Sequence, residues 1–447
     1  MDEASPTSVV DAGKGALLVL FLVTMIDMIG FGIVIPFLTY LVEDLATEND
    51  VLDIGIWVGL LMTSYSAAQF LFSPIWGGLS DRIGRRPVLM IGLLGNTVFF
   101  TMFGLANTLY MALIARFFAG VFNGNIAVAR AYIGDVSTST QLASRMGIIG
   151  AAFGLGFTVG PFLGGELSSP AERWDMFVGT IFETYPYLLP CIIASLLSIF
   201  SLLLAFWYLP ESLTSDPRSK PSSQPWSVTM KLTASNVKRM LGTKNIGSLM
   251  GVTFLYMFGF TVMHAVFILY TQMSPDQGGL GFSESDNGRI FALIGILGIV
   301  TQGGLIGPLT RRFGSLFILR FGLVLTGIGL VLIPYTSIEY VWVWMVIVTG
   351  FIAIGNGLFQ PSSSAVLTTL ARQDDYELGA VMGSQESISS FARILGPLTG
   401  GLVWTMTFER SGFFDYHTAF HVCGLLMLLG FVLSFKVQFK SADKNPQ

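Results

Sequence analysis

Charge is what this chain has least of. Only 12% of its 447 residues are Asp, Glu, Lys or Arg, about half the share of an ordinary soluble domain, so too few charged side chains exist to cover a water-facing surface of this size. Histidine is scarcer still, with three residues, and the nucleophile–base or metal constellation of an enzyme has little to be built from. Cys191 and Cys423 each stand in an apolar run, at a spacing that makes neither a disulfide framework nor a metal site. The pattern GxxxxGKS/T occurs nowhere, which removes the phosphate loop and with it ATP as an energy source. No N-x-S/T sequon occurs either. The net charge of −4 is spread over short segments and implies no nucleic-acid partner.

What is present is apolar: 52% of the residues are hydrophobic and the mean hydropathy is +0.68. About 20 apolar residues cross ~30 Å of hydrocarbon as a helix, and runs of that kind recur along the chain. They predict twelve spans, at 16–42, 55–79, 88–106, 108–134, 142–167, 185–209, 246–273, 286–309, 316–334, 340–369, 378–405 and 416–437. The first follows Asp2, Glu3 and Asp11 rather than a basic segment, and it is too long for a secretory leader, so it is expected to persist as a span. Nineteen of the 24 Lys and Arg residues fall on the side of the termini, which the positive-inside bias makes cytoplasmic; the host membrane is left open. The expected organisation is a cytoplasmic N-terminus (1–15), a six-helix lobe (16–209), a linker (210–245), a second six-helix lobe (246–437) and a cytoplasmic tail (438–447). The linker is rich in Pro and Ser; its Lys231, Lys238 and Arg239 lie either on a surface helix or in a solvated strand of chain.

The two halves echo each other. LASRMGIIGAAFGLGFTVGPFLGG begins at 142 and LGAVMGSQESISSFARILGPLTGG at 378; GGLSDRIG (77–84) returns as GPLTRRFG (307–314), with Arg311 where Asp81 would align. Internal repeats of this kind are what a two-lobed transporter predicts, with its substrate bound near the membrane midplane.

The charges that do occur inside spans are costly, and therefore functional candidates. Asp27 is alone in the apolar run 17–41, and Arg116 on helix 4 is its expected partner. Three readings stay open for Asp27: a proton or substrate site, a static ion pair, or a neutral acid at the lipid edge. Glu386 and Arg393, seven apart on helix 11, share a stripe, and neither has a charged counterpart in the first half. They serve either coupling or a structural bridge, and Glu386 ranks second to Asp27 as proton carrier. Polar cavity candidates are Tyr65, Gln69, Asn123, His264, Asn356 and Gln360, with Phe31, Tyr256, Met257 and Phe260 for stacking on an organic molecule. Each of these serves helix packing equally well. His417 and His421, i and i+4 beside Asp415, have a spacing that can hold a divalent metal, but two interfacial histidines need no metal and none is assigned.

Glycine is abundant where helices must approach. Gly156, Gly160, Gly164 and Gly165 with Pro161 put small residues at i, i+4 and i+8 of helix 5, for backbone-to-backbone packing. In the 77–84 loop, Gly78 and Gly84 let helices end and approach, while Asp81 can pair with Arg82, Arg85 or Arg86. That loop is either a latch or simply a carrier of positive-inside charge.

At these residues the chain resembles the major facilitator superfamily, and within it the twelve-helix drug/proton antiporters. GGLSDRIGRRPV resembles the superfamily's signature between helices 2 and 3, RFFAGVFNG (116–124) its helix 4 motif, GLGFTVGPFLGG (154–165) the antiporter motif of helix 5 and DMIGFGIVIP (27–36) that of helix 1. Within that group it resembles the tetracycline/proton exporters, through DMIGFGIVIP and the loop, and the zinc-induced facilitator-like transporters, through ARFFAGVFNGNIAVARAY and ETYPYLLPC. The resemblance implies an all-α membrane protein with two pseudo-symmetric six-helix lobes. It also implies a monomeric transporter, in contact with lipid, a small organic substrate and protons. Its energy would come from a proton gradient, with no cofactor. Export by antiport is the leading expectation, and passive facilitation or symport on the same fold is the alternative.

Overall fold

The computed structural model describes residues 14–48, 53–137, 141–212, 226–408 and 414–439, and among them the chain is helical with no strand. In order the helices are α1 (Lys14–Ile33), α2 (Leu38–Glu48), α3 (Ile54–Ile83), α4 (Arg85–Gly104), α5 (Leu109–Phe122), α6 (Asn125–Asp135), α7 (Leu142–Leu167), α8 (Pro170–Arg173), α9 (Ile181–Thr184), α10 (Leu188–Tyr208), α11 (Trp226–Leu241), α12 (Lys244–Gln272), α13 (Glu284–Val300), α14 (Ile306–Phe313), α15 (Ser315–Leu332), α16 (Val341–Gln373), α17 (Leu378–Thr407) and α18 (His417–Ser434). Ten helical stretches among the described residues are long and apolar enough to cross a membrane. The polar glycine helices α7 and α17, at 26 and 30 residues, have the length to do so too.

Two expected spans are interrupted. The 16–42 span breaks at 34–37, where Pro36 has no N–H to continue the ladder, and restarts as α2. The 108–134 span breaks at Asn123–Gly124 into α5 and α6. The linker segment from Trp226 is helical, with Lys231, Lys238 and Arg239 on α11; the guanidinium of Arg239 lies 5.6 Å from the ring centre of Tyr376.

Packing divides the chain into two compact units, Met1–Leu41 with Ala67–Trp226, and Val42–Ser66 with Ser227–Gln447. The second unit includes the start of α3 because two glycines admit α17. A methyl on Gly59 would fall 2.6 Å from the carbonyl oxygen of Pro397 and one on Gly55 2.8 Å from that of Gly401, while the Thr63 hydroxyl donates to the Ile394 carbonyl at 2.8 Å.

In the first unit, α1 lies along α7 backbone to backbone. A methyl on Gly160 would fall 2.7 Å from the carbonyl oxygen of Ile29, and one on Gly164 would land on that of Ile33. Gly165 is buried beside them. Pro161 continues α7 without ending it, its ring facing Gly32. The small-residue stripe of helix 5 is thus a seam with helix 1. The second unit repeats it: Gly396 meets Thr261 and Gly400 meets the Val262 carbonyl where α17 lies on α12.

Candidate functional site

Asp27 sits on α1 two turns before its end and is 2% exposed. Its position follows from what surrounds it. On α4, Gly92 and Gly95 have no side chains, and the break between α5 and α6 occupies that space: a Cβ at Gly92 would overlap the Asn125 side chain, and one at Gly95 the Phe122 ring. The break therefore presents Asn125, the first residue of α6, toward α1, while Asn96 reaches across from one turn further along α4.

The Asn96 amide donates to Asp27 Oδ1 at 2.7 Å. Asn125 stands beside the carboxyl, but its Nδ2 is not aligned to donate, and Asp27 Oδ2 is buried with no hydrogen-bond partner. A buried carboxyl held by a hydrogen bond at one oxygen only is an arrangement that proteins seldom leave unexplained.

Arg116, the expected partner of Asp27, is likewise buried in the first unit. It is 5% exposed and its guanidinium lies over the Phe103 ring, 5.8 Å from the centroid, on the α4–α5 side. The donor bonded to Asp27 Oδ1 is an amide.

The break between α5 and α6 explains two other residues. Where α5 stops, its last carbonyls lack helical partners. Gln69 donates to the carbonyl of Asn123 at 3.2 Å and the Trp76 indole to that of Val121 at 2.5 Å, both from α3. Trp76→Phe removes that donor and is expected to cost about 1–2 kcal/mol, read as a lower melting temperature in detergent. Sequence patterns single out none of Asn96, Asn125, Gly92 and Trp76. A signal exists only for Asn96, a lone amide in an otherwise apolar run.

Phe31 packs on Phe157 of α7, ring centres 5.5 Å apart. Tyr65 is fully buried on α3. In the second unit, α12 and α16 gather the remaining cavity candidates. Tyr256 stacks on Phe359 at 3.8 Å and donates to Asn356 Oδ1 at 3.0 Å; His264 packs edge-on to Phe260 at 4.6 Å, and Gln360 points its amide at the Met257 sulfur at 3.4 Å. Glu386 and Arg393 do meet, at 2.7 Å on a half-exposed face of α17, and the guanidinium also donates to the Ser390 hydroxyl at 2.8 Å.

The α3–α4 turn is a charge cluster. Arg85 bonds Asp81 at 2.5 Å, Asp135 at 3.0 Å and the Ser80 hydroxyl at 2.6 Å, and Arg86 donates to the Phe206 carbonyl. Gly84 takes φ +106°, a conformation that side chains disfavour. Gly78, expected to let helices end and approach, lies inside α3 with nothing near its Cβ position, so that expectation fails. Arg82 is exposed. Glu211, at the start of the linker, completes the cluster by accepting the amide N–H groups of Arg85 at 2.8 Å and Arg86 at 3.1 Å, an N-terminal cap contributed from 125 residues away. Glu211→Ala is expected to lower stability by about 1 kcal/mol, at the modest end because the carboxylate is exposed, and the loss should shrink in high salt.

His417 and His421 are each already engaged, with Asp415 Oδ1 3.0 Å from His417 Nδ1 and the Tyr335 hydroxyl 2.9 Å from His421 Nε2, at the wall of a surface recess of about 500 Å³. Among the described residues no group of three metal-ligating side chains occurs.

The sequence matches the profile of the Major Facilitator Superfamily over residues 20–397 and again over 304–447. It is 29% identical over 385 residues to the class C tetracycline resistance protein of Escherichia coli, covering 86% of this chain and 88% of that one. To the Arabidopsis thaliana protein ZINC INDUCED FACILITATOR-LIKE 1 it is 28% identical over 426 residues, covering 90% and 87%. A crystal structure of a D-xylose-proton symporter superposes with a TM-score of 0.72 at 15% identity, covering 96% of this chain and 98% of that one, a likeness of fold.

Proposed function

This chain belongs to the Major Facilitator Superfamily, a multi-pass membrane transporter rather than an enzyme, and from that premise we propose that it exports a small amphipathic organic molecule from the cytoplasm in exchange for protons. One observation carries the proposal: a buried carboxyl, Asp27, bonded through one oxygen only, and by a neutral amide, Asn96. A static structural pair would place a positive charge there. A site that gains and loses a proton needs an acid free of permanent neutralisation, with a seat tolerant of both charge states.

The rest of the proposal follows from the same residues. Glu386, ion-paired on its own helix, is the weaker proton candidate. The Asp81–Arg85–Asp135 cluster acts as a latch that loosens as the transporter alternates, on the cytoplasmic side that carries both termini. The mostly apolar lining near Tyr256, Phe260, His264, Asn356 and Gln360 suits an aromatic or amphipathic molecule better than a sugar. Relatives named for tetracycline resistance support an organic substrate of this kind.

The test is a reconstituted vesicle with an imposed pH gradient, reported by a quenched dye and challenged with lipophilic cations, tetracycline-like molecules, organic acids and metal chelates. A compound that dissipates the gradient through the protein supports antiport and names the substrate class. Counterflow of a compound with no proton movement replaces antiport with passive facilitation.

A further inference from the structure

The seat around Asp27 is built twice. At Gly160 an added Cβ would fall 3.1 Å from the backbone nitrogen of Ile33, and at Gly396 the same distance from that of Val262; Gly164 and Gly400 likewise face the carbonyls of Ile33 and Val262. Ile33 and Val262 therefore hold the same place, six residues past Asp27 and Tyr256. In that register DMIGFGI reads against YMFGFTV. The register of GGLSDRIG and GPLTRRFG carries Asn96 of α4 onto Thr326 of α15. Tyr256 hydrogen-bonds Asn356 at 3.0 Å and stands 3.5 Å from Thr326. One plan thus occurs in both units: a side chain on the glycine-seamed helix, a polar residue from the helix after the glycine turn, and an asparagine from the helix beyond. In the second unit the central group is a phenol, which already holds its proton at neutral pH and donates it to Asn356. In the first it is a carboxyl, which can gain one.

The geometry fixes where the gained proton goes. Asn96 presents Nδ2, which only donates, so Asp27 Oδ1 remains an acceptor in both charge states. Oδ2 is buried and accepts no hydrogen bond. The groups that bond or stand beside the carboxyl are amides, Asn96 from α4 and Asn125 from α6, while α7 brings glycines to the same helix. Asn125 is suited to its place because an amide can donate to a carboxylate oxygen or, turned over, accept from a carboxylic O–H.

We propose that the transported proton binds at Oδ2 of Asp27 and that Asn96 is the positioning residue that assigns it there by holding Oδ1. This deepens the antiport reading and rests on it.

The experiment is acid-minus-neutral infrared difference spectroscopy on the full-length protein in lipid vesicles, with the amide I band and the melting temperature as the check that each variant is folded. Wild type should show a protonated-carboxyl C=O band that Asp27→Asn removes. In Asn96→Ala, and in the near-isosteric Asn96→Leu that leaves no cavity, the band should persist but move to higher wavenumber, because the carbonyl oxygen Oδ1 has lost its donor. Its pH midpoint should rise by about one unit, roughly tenfold in proton affinity, since the donor favours the ionised form more than the neutral one. An Asp27-dependent band whose frequency and midpoint ignore both Asn96 variants overturns the assignment and leaves antiport standing. A band, or a proton response, that survives Asp27→Asn overturns both.

Discussion

Asp27→Asn is expected to remove all substrate-driven proton movement, down to the level of vesicles without protein, while counterflow of the substrate persists. The substitution preserves shape: the carbonyl of the introduced amide can still accept from Asn96, so that donor keeps its partner, and the new NH2 group takes the Oδ2 place beside Asn125, whose amide can turn over to accept from it. What is lost is only the capacity to gain and release a proton. Transport in the variant should be flat across pH, where wild type falls away once the carboxyl is held in one state. Asp27→Ala makes the contrast, since it leaves the buried Asn96 amide without a partner and is expected to cost about 1–3 kcal/mol of stability as well. Proton pumping that survives Asp27→Asn would transfer the role elsewhere, with Glu386 next in line for the same kind of neutral replacement.

The largest expected effect on folding comes from the α1–α7 seam. Gly164→Val places a branched side chain where the Ile33 carbonyl oxygen and the Pro36 ring already sit, and both belong to backbone that cannot swing aside. Overpacking of that kind is expected to cost about 3 kcal/mol or more, seen as a steep fall in melting temperature and in yield of monodisperse protein. Gly150→Ala on the same helix is the control. Nothing lies within 4 Å of its Cβ position, so the change should stay within about 0.5 kcal/mol and even favour the helix slightly. Equal losses from both variants would mean that glycine serves flexibility in α7 rather than close approach.

How far these features are legible in the sequence depends on what kind of signal each leaves. Helix positions are written in hydropathy, and the run from Lys244 to Gln272 or from Val341 to Gln373 stands close to where the composition puts it. The glycine seam is legible too, because i, i+4, i+8 spacing has one dominant use in a membrane. The amides beside Asp27 are not. Coulomb attraction draws a reading of the sequence to Arg116, while the place of Asn125 is decided by Gly92 and Gly95, whose missing side chains admit the break at Asn123–Gly124. A void leaves no polar mark in a sequence. The repeat between DMIGFGI and YMFGFTV is likewise hidden, since only Met, Gly and Phe are shared, and it emerges once the glycine contacts supply the register. The Glu211 cap is hidden by distance along the chain, for nothing local ties residue 211 to residues 85 and 86.

Both cysteines of this chain are fully buried, Cys191 against Gly104 of α4 and Cys423 near Gly259 of α12. For spectroscopy that makes the natural sequence its own blank. A maleimide fluorophore or spin label should find almost nothing to react with until a cysteine is placed by design, at exposed positions between spans such as Met176 or Val178. Distances and accessibilities could then be followed through the transport cycle without first stripping the protein of thiols, and without the repacking that such stripping would force on two tight helix crossings.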